Sequence, residues 1–156
     1  MRRPTPVGSG RREGVGQAAE ILAFMRRHAL AVQASVSAEG GPQAAVVGFI
    51  VTDDFEVAFD TVDTTRKVAN LRRTPRCALV IGGIANRDER TVQLEGITDE
   101  PTGTELDRLK ELYFVRFPGG RDRQHWPGVT YIRVKAQWLR FSDFNRSPAV
   151  ITELTF

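Results

Sequence analysis

The feature that most restricts the fold of this chain is a series of strand-like segments that follow one another through short connections. The segments run over residues 30–37, 44–51, 56–61, 76–84, 91–99 and 130–141. Short connections favour antiparallel neighbours, whereas a doubly wound parallel sheet needs a helical crossover between strands. The sequence therefore predicts a mainly β domain of six or seven mostly antiparallel strands. Closure into a small barrel would remove exposed sheet edges.

Hydrophobic patterns predict where individual segments lie in such a barrel. In the first segment, apolar residues occupy alternate positions: Leu30, Val32, Ala34 and Val36. This alternation predicts a strand that buries its apolar side. The second segment, residues 44–51, is almost continuously apolar, which is typical of a strand buried on both faces. The single cysteine, Cys77, lies in the apolar run 77–81 and is expected to be a buried structural thiol.

About three helices accompany these strands. Residues 15–28 carry apolar side chains at helical spacing, and residues 64–73 form a short helix that ends before Pro75. Thr102 and Glu105 have the spacing of a capping box, which predicts the start of a third helix. Helices packed on a small antiparallel barrel complete the expected fold.

Charge divides the chain into two parts. Residues 1–14 are expected to form a disordered basic tail, and residues 15–156 a single domain. The formal net charge of +3 comes from residues 1–13, which hold four arginines and one acid, so the remainder is neutral. A neutral domain gives no electrostatic reason to expect nucleic-acid binding. Nucleic-acid binding could then occur only through phosphate contacts of the basic tail. A tail that merely increases solubility is the preferred interpretation.

Neither a secretory signal nor a membrane-spanning segment is expected. No long apolar stretch follows the basic N-terminus, and no apolar run approaches the roughly 20 residues of a membrane span. One cysteine and two distant histidines do not supply a metal cluster. The sequence thus favours a cytoplasmic protein without a metal site.

Residues 60–67 are the segment best suited to ligand chemistry, because they run from the end of a strand into the start of a helix. A helix start offers free N–H groups and the positive end of the helix dipole, which favour a phosphate. Thr61 and Thr65 supply hydroxyl groups, and Arg66 and Lys67 supply cations. This pattern predicts a phosphate site without identifying the ligand.

Several short motifs occur in a characteristic order along the chain. They are Ala58-Phe59-Asp60-Thr61, Thr65-Arg66-Lys67, Asn70-Leu71-Arg72, Pro75-Arg76 and Val92-Gln93-Leu94-Glu95-Gly96, followed by Trp138. Together, over about residues 15–141, they resemble the pyridoxamine 5′-phosphate oxidase-like family of split β-barrels. The resemblance implies a split β-barrel that binds FMN. It also implies a homodimer in which each cofactor site takes residues from both subunits.

The same resemblance implies roles for individual residues. Arg66, Lys67 and Thr65 would hold the FMN phosphate or ribityl chain, and Asp60 and Thr61 would lie near the cofactor. The other implied cofactor residues are Val46, Val47, Gly48 and Phe49 along the flavin ring, Thr91, and Trp138 reaching the partner's flavin. No catalytic acid or base is assigned.

The chain departs from the family pattern at three places. Asp60 and Thr91 replace a tyrosine and a glutamine, and residues 141–146 lack the arginine-x-histidine signature that holds pyridoxal phosphate. The expected function is therefore an FMN-dependent oxidoreductase with another small-molecule substrate and, as one option, a nicotinamide electron donor. Residues 65–73 also resemble the deazaflavin-dependent branch of the family, so a deazaflavin coenzyme is an alternative to FMN.

Two further hypotheses stay open from the sequence. The protein could bind flavin without turnover, as a sensor or store of the cofactor. Some split-barrel proteins bind haem, for which His28 and His125 are the available axial ligands. His125 lies beside Trp126 in a polar loop and could instead face a substrate, whereas His28 lies near a helix end, where a cation interacts favourably with the helix dipole.

Overall fold

The computed structural model describes residues 11–85 and 87–156. The helices within these ranges are α1 (Arg11–Arg26), α2 (Arg66–Arg73), α3 (Gly103–Arg116) and α4 (Gly120–Arg123). The strands are β1 (Leu30–Val36), β2 (Pro42–Gly48), β3 (Ile50–Val51), β4 (Glu56–Val62), β5 (Arg76–Gly82), β6 (Arg90–Asp99), β7 (Val129–Asp143) and β8 (Val150–Thr155). Of the tail expected over residues 1–14, residues 1–10 lie outside the described residues, and α1 begins at Arg11 rather than near residue 15.

The strands form one sheet in the order β2-β1-β5-β6-β7-β4-β3, with β8 paired to β7 beside this path. Every described strand pair is antiparallel, as the short connections predicted. Strands β2 and β3 stand at opposite ends of the order, yet only Phe49 separates them in the sequence. The sheet must therefore curl until its ends meet, leaving a seam between β2 and the β3–β4 pair. The predicted mainly β split barrel is confirmed.

A bulge in β6 contributes to this curl. The pairing of β6 with β7 shifts register between Glu95 and Gly96. A Cβ atom at Gly96 would collide with the carbonyl oxygen of Lys135, so the close approach of the two strands requires glycine. Because bulges bend the strand that carries them, this one helps the sheet to close on itself.

The main hydrophobic core fills the barrel and continues under α1. Its largest fully buried side chains include Phe24 and Met25 of α1, Phe49, and Phe59 of β4. A second, smaller cluster packs α3 against the outside of β4 and β7, with Tyr113 at its centre. Cys77 is buried and its thiol pKa is raised to about 12 by that burial, as expected of a structural cysteine.

The burial of β1 and β2 corrects two predictions. Gln33 and Ser35 face the barrel interior at 1% and 3% exposure, whereas Leu30 and Val36 are 59% and 37% exposed. The apolar side of β1 thus faces outward, because polar partners such as Asn70 occupy the interior beside it. Strand β2 is likewise not buried on both faces, since Val46 is 64% exposed.

These outward residues form a continuous surface. Val46 pairs with Val32 across β2 and β1, and Val32 pairs with Val80 across β1 and β5. We call this surface the outer sheet face and define it by Leu30, Val32, Val36, Val46 and Val80. These side chains make one side of the β2–β1–β5 region apolar and accessible to solvent.

Other differences concern element boundaries. The region 44–51 divides into β2 and β3, and β8 and α4 are additional to the predicted elements. The predicted segment 130–141 is one long strand that extends over residues 129–143. Thr102 does cap α3, but without the side-chain hydrogen bond of a capping box. None of the helices in the described ranges is both long and apolar enough to cross a membrane.

Candidate functional site

A cavity of about 700 Å³ lies at the barrel seam, between strand β2 and the start of α2. Its lining comprises Gln33, Ser35, residues 42–45 of β2, and residues 64–67. Strand β2 is terminal in the sheet order, so one edge of its backbone has no strand partner among the described residues. The cavity therefore combines a free strand edge with a helix start, both of which offer backbone hydrogen-bonding groups.

The start of α2 is free to receive an anion. Thr65 is the N-cap residue, and its side chain makes no capping hydrogen bond. The first turn contains Arg66 and Lys67 and no acid. Because the first N–H groups of a helix lack intrahelical acceptors and carry the positive end of the dipole, a phosphate placed here would be stabilised.

Lys67 is the most constrained cation in the cavity. Its ammonium donates a 3.1 Å hydrogen bond to Thr61 Oγ1, and Thr61 Oγ1 lies 3.4 Å from Thr65 Oγ1. Partial burial lowers the pKa of Lys67 below its ordinary value of 10.5. No carboxylate in the described part of the chain pairs with this ammonium, which has three donors. A bound anion would satisfy the remaining donors and offset the desolvation of the charge.

A buried polar network reaches from the barrel interior to Arg66. Asn70 is 5% exposed and donates a 3.1 Å hydrogen bond to Ser35 Oγ. The side-chain amide of Gln43 lies between the Asn70 amide and the Arg66 guanidinium, with 3.0 Å between Gln43 and Arg66 Nε. The network thus couples the position of Arg66 to strands β1 and β2.

Gln33 supplies an unsatisfied donor beside the same cavity. Its side chain is 1% exposed, and Nε2 has no hydrogen-bond partner among the described residues. Leaving such a donor unpaired costs about 1–3 kcal/mol. Nε2 is itself enclosed by the protein and adjoins the buried Cys77 thiol, so the polar groups of this wall that a ligand can reach are those of Gln43 and the edge of β2.

Asp60 does not face the cavity, although it precedes Thr61 in β4. Its carboxylate accepts a 2.7 Å hydrogen bond from the Tyr113 hydroxyl and a 3.2 Å bond from Arg123 Nε. Successive strand residues point to opposite faces, so Asp60 lies under α3 while Thr61 contacts Thr65 and Lys67 on the other side. The negative charge of Asp60 is thereby kept away from Lys67 and the start of α2.

The other residues implied by the family resemblance lie elsewhere in this chain. Val46 belongs to the outer sheet face, and Val47 and Phe49 are buried in the core. Gly48 packs against the ring of Phe117, where an added Cβ would lie 3.1 Å from the nearest ring carbon. None of these residues lines the cavity, which contacts β2 at residues 42–45 instead.

Thr91 and Trp138 lie outside the cavity as well. Thr91 pairs with Gly82 at the beginning of β6. Trp138 pairs with Glu95, and the Arg140 guanidinium lies 5.5 Å from the centroid of its ring. Because Glu95 lies opposite Ala78, Trp138 belongs to the same side of the sheet as the outer sheet face.

Sequence reasoning identified Thr61, Thr65, Arg66 and Lys67, which the structure brings together, but it did not identify the polar wall of the cavity. Gln33 and Ser35 form that wall from inside the barrel, and Gln43 forms it from β2. The available signal is the polar half of the β1 alternation, the side opposite the one that the apolar pattern predicts to be buried.

Comparison with known proteins gives a family-level match. The family model described as pyridoxamine 5′-phosphate oxidase matches residues 18–143. No curated protein matches the chain in sequence. Among solved structures, a haem-binding protein from Mycobacterium smegmatis is similar with a TM-score of 0.75 at 17% identity, covering 99% of this chain. This chain spans only 60% of the length of that protein.

Two further solved structures are similar over nearly their whole length. A putative pyridoxamine 5′-phosphate oxidase from Listeria innocua has a TM-score of 0.65 at 18% identity, with coverage of 83% of this chain and 99% of that one. A pyridoxamine 5′-phosphate oxidase-related, FMN-binding protein from Nostoc punctiforme has a TM-score of 0.63 at 11% identity, with coverage of 95% and 97%. At these identities the structural likeness establishes the fold.

Proposed function

The chain belongs to the pyridoxamine 5′-phosphate oxidase family, and on that basis we propose that it binds FMN in the cavity at the seam and acts as a flavin-dependent oxidoreductase. The observation that carries the proposal is the pair Arg66 and Lys67 at the free start of α2, with no acid among the cavity's lining residues. An FMN-binding protein among the similar structures adds support.

The phosphate of FMN matches the cationic end of the cavity. Lys67 and Arg66 would carry the countercharge, and Thr65 would add a hydroxyl donor beside the free N–H groups of α2. Thr61 holds the ammonium of Lys67 in place through its 3.1 Å hydrogen bond. Asp60 adds no repulsion here because Tyr113 and Arg123 bind its carboxylate on the other face of β4.

The ring system of FMN would lie along the free edge of β2. That edge offers backbone hydrogen-bonding groups, and Gln43 adds a side-chain amide beside them. FMN, when bound, supplies the hydride chemistry, while the protein binds, orients and shields it from water. The chain's own contribution is thus to place donors against the flavin, where they stabilise negative charge on the ring.

A homodimer is part of the proposal. The outer sheet face offers the apolar surface that a stable subunit interface needs. Ala44 is exposed on the same side of β2 and also lines the cavity, so a second subunit docked there would adjoin the flavin site. Trp138 lies on this side of the sheet too, which would bring it toward the partner's cavity.

The substrate proposed is a small molecule other than pyridoxamine phosphate, with a nicotinamide as one candidate donor. Residues 141–146 carry no arginine-x-histidine pair for a pyridoxal phosphate group. A deazaflavin coenzyme would use the same phosphate seat, and a flavin-binding protein without turnover would use the same cavity. Reduction of the bound cofactor by a nicotinamide donor separates an enzyme from a passive binder.

Haem is the second candidate, favoured by the similarity to a haem-binding protein. His28 is half-buried, and burial is the main cause of its lowered pKa, so its imidazole is neutral and available as a ligand at neutral pH. His125 is exposed. Haem ligation by His28 would place the site away from the seam, because His28 does not line the cavity there.

One measurement tests these assignments together. The absorbance spectrum of the purified protein is recorded, and the mass of any released small molecule is determined after denaturation. We expect flavin bands and the mass of FMN, or uptake of added FMN by colourless protein. A Soret band that disappears in His28→Ala would identify the cofactor as haem rather than FMN. The mass of a deazaflavin would place the protein in the deazaflavin-dependent branch of the family. Protein that takes up none of the three would refute the proposal.

A further inference from the structure

A second cleft, of about 450 Å³, lies between α1 and α3 and shares no lining residue with the cavity at the seam. Both helices flank the short strand β3, which forms its floor. The floor side chains are buried and apolar: Met25, Phe49, Ile50 and Val51. The cleft therefore has an apolar floor that is already formed in the absence of a ligand.

One wall of the cleft exposes apolar side chains. Leu112 and Val115 are 44% and 80% exposed and lie three residues apart on α3, so they share one helix face. Above a buried apolar floor, they extend the apolar surface to the mouth of the cleft. A ligand with a hydrocarbon or aromatic body would cover this surface and remove it from water.

The rim of the cleft carries two guanidinium groups and a neutral imidazole. Arg26, Arg116 and His28 line it, and none of its described lining residues is a carboxylate. Arg26 is already engaged, because its Nη2 lies 2.6 Å from Asp53 and donates to the carbonyl of Val51. Arg116 forms neither a hydrogen bond nor an ion pair with any residue in the described ranges. It is the cation left free to bind an anion from solution.

The His28 imidazole lies beside this free cation. Its ring packs against Phe24 with 4.7 Å between centroids, and neither nitrogen has a hydrogen-bond partner among the described residues. Burial is the main cause that lowers the pKa of His28, and Asp88 opposes it. The charges of Arg90, Arg27 and Arg116 also lower this pKa, so Arg116 lies close to the imidazole. A guanidinium and an imidazole thus face the same apolar cleft.

From this combination we propose that the α1–α3 cleft binds a small amphipathic carboxylate. The guanidinium of Arg116 would pair with the carboxylate through its two parallel N–H groups, and His28 would add a hydrogen bond. The aromatic or aliphatic body would lie on Ile50 and Val51 against Leu112 and Val115. This site is independent of FMN, because it shares no residue with the seam cavity.

The test uses 1-naphthoate, whose own fluorescence reports binding, and 1-naphthylmethanol as a neutral control of the same shape. We expect saturable binding of 1-naphthoate to the full chain and weaker binding of the alcohol. Arg116→Gln should weaken 1-naphthoate binding about tenfold or more, because it removes the charge and the pair of N–H groups that would bind the carboxylate. Arg66→Gln, in the seam cavity, is the matched control and should leave it unchanged.

Three results would overturn the proposal. The first is equal 1-naphthoate affinity for the wild type and Arg116→Gln. The second is loss of binding in Arg66→Gln, which would place the probe in the seam cavity. The third is that the wild type is dimeric and Val115→Asp is monomeric, which would make the cleft part of a subunit interface. Val115 and Arg116 are exposed, so these variants are expected to fold, and circular dichroism checks this.

Haem belongs to the same chemical class, because it carries carboxylates on an apolar body. A second titration with haemin distinguishes it from a simple carboxylate. A Soret shift that depends on both His28 and Arg116 would identify haem as the occupant of the cleft. Competition of haemin with 1-naphthoate without such a shift would identify an iron-independent carboxylate site.

Discussion

The hydroxyl of Tyr113 in α3 donates a 2.7 Å hydrogen bond to the carboxylate of Asp60 in β4. This bond ties α3 to the barrel and holds the carboxylate on the face of β4 opposite Thr61 and the cavity. Because side chains alternate along a strand, Asp60 contacts α3 on one side of β4 and Thr61 contacts Lys67 on the other. Tyr131 lies near the same carboxylate, but its buried hydroxyl has no partner among the described residues.

These two tyrosines give a matched pair of stability predictions. We expect Tyr113→Phe to lower the free energy of unfolding by about 1–2 kcal/mol, because it removes a hydrogen bond to a half-buried carboxylate. Tyr131→Phe should leave the free energy unchanged or raise it, since its hydroxyl is buried without a partner. Urea denaturation measures both. Equal losses in the two variants would contradict the assigned hydrogen bond.

The cationic start of α2 predicts how FMN affinity depends on charge. We expect Lys67→Met to weaken FMN binding about tenfold or more, because one charge-assisted hydrogen bond to the phosphate is lost. Arg72→Gln is the control, since Arg72 lies on the same helix but binds Glu100 outside the cavity. Quenching of flavin fluorescence measures both affinities. Equal weakening would show a general charge effect rather than a phosphate seat at Lys67.

The buried His28 predicts a pH dependence of stability. Burial is the main cause that lowers its pKa in the folded protein, so the unfolded chain binds the proton more tightly. The free energy of unfolding should therefore fall as the pH drops below 6.5, the ordinary histidine value, toward the lower pKa of the folded state. In His28→Gln this part of the pH dependence should disappear. Urea denaturation between pH 7.5 and 5.5, for wild type and variant, measures the difference.

The outer sheet face predicts the state of assembly. We expect Val46→Glu to convert a dimer into a monomer, because it places a charge opposite Val32 at the centre of that face. Ile84→Glu is the control, since Ile84 is 83% exposed but lies outside the sheet. Light scattering coupled to size-exclusion chromatography measures the mass. A wild type that is already monomeric, or a dimer that survives Val46→Glu, would refute the proposed interface.

Local patterns in the sequence predicted the strands and their antiparallel arrangement, and they singled out Thr65, Arg66 and Lys67, which line one cavity. Those features depend on nearest neighbours and on periodicity, which a single sequence contains. The inward side of β1 was predicted wrongly, because alternation separates two faces without indicating which one meets the core. Here the apolar face is outward, and Gln33 and Ser35 point inward.

The polar wall of the cavity could not be predicted for a different reason. Asn70 meets Ser35 and Gln43 across 35 and 27 residues of sequence, and only the closed barrel brings them together. Strand β8 did carry a local signal in the β-branched residues Val150, Ile151 and Thr152. Three residues are too short a pattern to predict a strand, and β8 is recognised chiefly by its pairing with β7.

Phe49 is the single residue between β2 and β3, the two end strands of the sheet, and the seam beside it is where we expect local opening of the barrel to begin. At the seam, the amides on the free side of β2 have no strand partner among the described residues. Their hydrogens should exchange with solvent faster than those of β1 and β5, which are paired on both sides. A ligand in the proposed seam site would contact β2 along residues 42–45, so we expect its binding to slow the exchange there first.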